Sequence, residues 1–142
     1  NDWATALRDG EEHCMGVVEV NYFHPNTTSA VIIFSARNAN SLTPEIYTEF
    51  SIPVDGVTLN TPYNVKTGKI MDADPITSGT LTLLAFDPPA QGKTGCFAGT
   101  FSLTAGTTGG PAIEYTNGRF VYYKGTVYVE DNISGNGCNP FN

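Results

Sequence analysis

Between Gly79 and Tyr123 the chain alternates apolar and polar residues, and no other feature narrows its fold as much. The cleanest part sets Phe97, Gly99, Phe101, Leu103 and Ala105 against Ala98, Thr100, Ser102 and Thr104. Successive side chains of a strand point to opposite faces, so a period of two buries one set and shows the other to water. Phe97, Phe101 and Leu103 are therefore expected in the core. Two Gly/Pro-rich breaks divide the stretch into three β-rich runs, and the rest of the chain reads as further strands added to this unit.

Cys14–Phe23, Ser29–Arg37 and Ile46–Ile52 have the composition of strands. Val31, Ile32, Ile33 and Phe34 are apolar on both faces, as in a central strand. Shorter strand-like runs occur at 57–59, 63–65, 69–71 and 125–130. Turn signals recur every ~8–12 residues, the spacing of sandwiches and barrels. The expected fold is all-β, a two-sheet antiparallel β-sandwich of about eight to ten short strands. Residues 1–142 make one domain, with an N-terminal segment 1–13 and a tail 131–142. Asp2 as N-cap, with Trp3, Ala6 and Leu7 on one face, predicts a short helix at the start. Asn117-Gly118 is either a two-residue hairpin turn or a bulge inside one long strand.

Seven Lys and Arg face 14 Asp and Glu, for a net charge of −7. The basic footprint of a nucleic-acid-binding protein is missing, and an anionic membrane surface would repel the chain. No run approaches the ~18 apolar residues of a spanning helix. Charged residues make up only 15%, which leaves Thr, Ser, Asn and Gly to cover the outer faces and fits a secreted, periplasmic or cell-surface protein. The lack of an initiator Met and of a signal peptide fits a mature exported chain, with a lipid anchor before trimming compatible.

Three phrases carry a resemblance: Leu81-Thr-Leu-Leu-Ala-Phe-Asp87, Gly99-Thr-Phe-Ser-Leu-Thr-Ala105 and Tyr115-Thr-Asn-Gly-Arg-Phe120. With them the chain resembles small secreted or lipid-anchored β-sandwich proteins of the Bacteroidota, domains of unknown function. The match covers about a third of the chain, mainly residues 79–120. Pro62-Tyr63-Asn64-Val65 extends it weakly, with Pro62 where those proteins carry Gly. The resemblance implies a location and a fold, and no catalytic residue.

Motifs for covalent or acid–base chemistry are sparse. The two histidines are His13 and His24. Neither stands in the strand–turn–helix setting of a nucleophile, and no G-x-S-x-G occurs. Paired carboxylates for glycoside hydrolysis could come from Glu45/Glu49, Glu114/Glu130 or Asp72/Asp74; solvated outer-face acids explain the same residues. Asp72 and Asp74 are also the calcium candidates, against the simpler role of capping their own loop. Of the three cysteines, Cys14 and Cys138 are the favoured disulfide and Cys96–Cys138 the alternative. Tyr115, Tyr123 and Tyr128 form the candidate ligand-binding patch, an exposed aromatic row on the late strands. The functional expectation is a non-enzymatic secreted or cell-envelope module that binds a protein or glycan partner. A polysaccharide hydrolase using paired carboxylates, and a structural envelope or adhesin subunit assembling by strand addition, are the alternatives.

Overall fold

The structure is a computed structural model describing residues 2–87, 95–124 and 139–141. Among these residues there is no helix and there are nine strands: β1 (Trp3–Arg8), β2 (Glu11–Met15), β3 (Val17–Phe23), β4 (Val31–Arg37), β5 (Ile46–Ser51), β6 (Pro62–Ile70), β7 (Asp74–Asp87), β8 (Gly95–Ala105) and β9 (Ile113–Lys124). No helix of the described residues is long and apolar enough to cross a membrane. The expected strand at 125–130 lies outside the described residues, as do Tyr128, Glu130 and Cys138.

All pairings are antiparallel, and the strand order is β2-β1-β9-β8-β7-β6-β5-β4-β3. β2 and β3 stand at opposite ends of this order, yet Gly16 alone joins them. The chain bends there, leaving its pairing with β1 for a pairing with β4, and β3 touches β1 and β9. The single sheet thus curls into a nearly closed barrel. The all-β antiparallel expectation holds, while the two separate sheets of a sandwich are not confirmed, since the nine strands follow one another in a single order. The neighbour order within the sheet follows from the turns. Asp9 and Gly10, with φ of 49° and 87°, link β1 to β2; Met71 and Asp72, with φ of 51° and 58°, lie between β6 and β7. Positive φ at consecutive turn residues suits the twist of a tight hairpin, so each strand returns beside its predecessor.

The N-terminal segment is strand β1, in place of the expected helix. Six residues are too few to nucleate a helix on their own. As a strand they pair with β2 and β9 at once and turn Ala4 and Ala6 inward. Inside the barrel the rings of Phe34, Phe101 and Phe120 pack against one another, with centroids 5.0, 5.0 and 6.4 Å apart. Phe97, Phe101 and Leu103 are all buried, as the alternation requires. Thr48 is a fully buried polar side chain, and its hydroxyl donates to the Thr67 carbonyl at 3.3 Å.

Asn117-Gly118 is a bulge within β9. Asn117 has φ of 51°, and the pairing slips against β8 between Phe101 and Leu103 and against β1 between Thr5 and Leu7. Gly118 is required: a Cβ there would lie 2.6 Å from the Phe101 ring. The extra residue reverses the parity of the strand. Tyr115 therefore shares the inner side with Phe120 and Tyr122, while Arg119, Val121 and Tyr123 lie on the other face, Arg119 exposed, Tyr123 half-buried and Val121 fully buried.

Cys14 carries a free, exposed thiol whose Sγ is 3.7 Å from Glu12 Oε1. Cys96 is disulfide-bonded. Cys138, the favoured partner of Cys14, lies outside the described residues, among which the Cys14 thiol on β2 stands free and exposed.

Candidate functional site

The outer face of β7, β8, β9 and β1 brings together a set of polar side chains that the core leaves over. On β7, Thr80 and Thr82 alternate with the buried Leu81 and Leu83; on β8, Thr100 and Ser102 alternate with the buried Phe101 and Leu103. Register then aligns them. Thr80 stands opposite Ser102 and Thr82 opposite Thr100. Thr100 faces Arg119 of β9, and Arg119 faces Thr5 of β1. At about 4.8 Å between neighbouring strands, the row from Thr82 to Thr5 is about 14 Å long.

The bulge shapes this face. It re-aims Asn117 into a shallow hollow of about 320 Å³, lined also by Thr80, Thr82, Thr100, Ser102 and Arg119. A second hollow of about 350 Å³ continues over β1, with Thr5, Leu7 and Glu12 beside the same Asn117 and Arg119. Among the described residues, the hydroxyls of Thr5, Thr80, Thr82, Thr100 and Ser102 and the Asn117 carboxamide have no hydrogen-bond partner in the protein. Arg119 has no carboxylate partner there either. Its guanidinium lies over the Phe141 ring at 5.4 Å, and that ring packs against Trp3 at 5.7 Å. One end of the groove is thus bordered by two half-buried aromatics.

A second cluster closes one end of the barrel. Glu45, just before β5, accepts a hydrogen bond from the Tyr115 hydroxyl at 2.6 Å. The same oxygen is 3.0 Å from Nδ1 of His13 on β2. The Arg8 guanidinium lies over the Tyr115 ring at 5.9 Å. Tyr115 is 1% exposed, and burial pushes its phenol well above the usual tyrosine range. The Glu45 hydrogen bond and charge add to that, and Arg8 opposes it. An open hollow of about 380 Å³ beside the cluster is lined by Arg8, Asp9, Glu11 and His13. A carboxylate on Nδ1 orients an imidazole, as in hydrolytic triads. Among the described residues His13 has no hydrogen bond to a hydroxyl or thiol that could serve as nucleophile. The cluster's evident effect is to tie β2, β5 and β9 together.

The expected sites fare differently. Two members of the expected aromatic patch do not share a face: Tyr115 points into the barrel, and Tyr123 lies half-buried on the opposite face, its backbone N–H donating to Asp2 Oδ1 at 2.8 Å. Tyr128 is outside the described residues. Asp72 and Asp74 flank Ala73 at the β6–β7 hairpin. Among the described residues no group of three His, Cys, Asp or Glu side chains gathers where a metal could be held, so the calcium candidates stand with two carboxylates and no third. Glu45 serves Tyr115 and His13, while Glu49 accepts from Tyr47 at 3.4 Å; the two carboxylates have separate partners. The outward set of β8 is readable from its alternation, but its alignment with Thr82, Arg119 and Thr5 is not. His13–Glu45–Tyr115 spans 32 and 70 positions of sequence and leaves no local signal.

Comparison with family models, with curated proteins and with solved structures gives no match.

Proposed function

We propose that this chain is a non-enzymatic secreted or cell-envelope binding module, and that its working surface is the outer face of β7, β8, β9 and β1. One observation carries the reading: five hydroxyl side chains in cross-strand register, with the Asn117 carboxamide at the bulge, gather beside Arg119 without a partner among the described residues. Unused donors and acceptors on a rigid sheet suit a polar partner, protein or glycan, because little side-chain freedom is lost on binding. The bulge supports it further, since bulges recur where a strand must aim one side chain. A hydrolase built on paired carboxylates has less in its favour, because Glu45 and Glu49 are committed to different neighbours. Assembly by strand addition needs a long open edge, and the near-closure of the sheet leaves β2 and β3 as short ones.

The test compares wild-type protein with Thr82→Val/Thr100→Val, which removes two hydroxyls and keeps side-chain shape. Isolated cell envelopes should retain the wild type and release the double variant, with the melting temperature unchanged. Equal retention of both proteins would refute this face as the working surface.

A further inference from the structure

The geometry points to an uncharged oligosaccharide as the ligand of the β7–β8–β9–β1 groove. The inference rests on the preceding reading of that face as the working surface, and it adds the chemical class. Hydroxyls both donate and accept, a carboxamide does the same through two atoms, and a guanidinium supplies a fork of donors. A sugar presents donors and acceptors side by side on every ring, and Thr80, Thr82, Thr100, Ser102, Asn117 and Arg119 offer that mixture over one hollow.

A protein partner matches this face less well. The centre of a protein interface is built on aromatic, Met or Leu anchors. The large exposed apolar side chains, among them Phe23, Leu42, Val54, Leu59 and Met71, line none of the hollow. A polyanionic ligand matches it poorly too. The chain carries −7 overall, Glu12 borders the groove, and Arg119 is the single cation among the described residues that line it. Trp3 and Phe141 supply the remaining element. They are half-buried rings at the groove's edge; the Arg119 guanidinium lies over Phe141, so Trp3 is the ring on which the C–H face of a pyranose can lie.

The experiment is calorimetric titration of the full chain with neutral hexasaccharides (gluco-, xylo-, manno- and β-1,3-gluco-) and with hexagalacturonate as the charged control. At least one neutral hexasaccharide should bind, more tightly than the uronate, and should compete for envelope retention. Thr82→Val/Thr100→Val should weaken it by about thirtyfold, the effect of two ordinary hydrogen bonds. Should that variant melt early, Arg119→Gln serves instead, since Arg119 is exposed and holds no ion pair among the described residues. No binding by any neutral hexasaccharide, or tighter binding of hexagalacturonate, overturns the ligand class. If retention on envelopes still depends on Thr82 and Thr100, the surface stands and only the ligand class falls. If retention ignores both threonines, the reading of the face itself falls.

Discussion

Tyr115→Phe should destabilise the barrel at neutral pH and stabilise it in strong alkali. Tyr115 is 1% exposed, and the hydroxyl that the substitution removes donates to a carboxylate at 2.6 Å. A hydrogen bond to a charged group contributes about 1.5–3 kcal/mol. Glu45 keeps His13 as a partner and retains some contact with water, so the loss should fall near the lower end, about 1.5 kcal/mol. The phenol's folded-state pKa lies above its unfolded value of about 10. A raised pKa gives stability that is complete below about pH 10 and declines as pH rises, because the unfolded chain releases its proton first. The slope is about 1.4 kcal/mol per pH unit for one tyrosine. The variant has no phenolic proton to release at this position, so the gap between the two proteins should close about one unit above pH 10 and then reverse. Tyr122, also raised by burial and then by Glu19 and Asp2, titrates in both proteins and cancels in the difference. Urea unfolding followed by circular dichroism at about pH 7, 9, 10, 10.5 and 11 brackets the unfolded tyrosine value and measures the gap. Parallel stability curves across the alkaline points would show that Tyr115 is not held protonated by the fold, and the account of the Glu45 cluster would be wrong.

Two further outcomes are expected. Phe34→Ala, at a fully buried position touching both Phe101 and Phe120, should cost about 3–5 kcal/mol; a loss under about 1 kcal/mol in urea unfolding would mean that the barrel interior is loosely packed. Alkylation without reductant should label Cys14 and spare Cys96; labelling of Cys96 under those conditions would contradict its disulfide state.

Residue order by itself determined the class of structure and much of the core. Phe97, Phe101 and Leu103 could be assigned inward because a strand's side chains alternate whatever it pairs with. The same rule put Thr100 and Ser102 outside. It also narrowed Asn117-Gly118 to two conformations without choosing between them. That choice needed β8 and β1: only against the Phe101 ring does the missing side chain of Gly118 matter, and only there is Asn117 an extra residue. One such residue reverses a strand's faces. It turned Tyr115 from a surface candidate into a core residue bonded to Glu45, and it brought Arg119 outward beside the threonines. Trp3–Arg8 departs from its local pattern for a related reason. Its weak local preference is helical, and its strand state exists only because β2 and β9 supply hydrogen bonds on both sides. The choice of barrel over sandwich was likewise non-local, since both use the same alternation and the same turns. It depended on the bend at Gly16, where one chain segment leaves β1 for β4 and joins the two ends of the sheet.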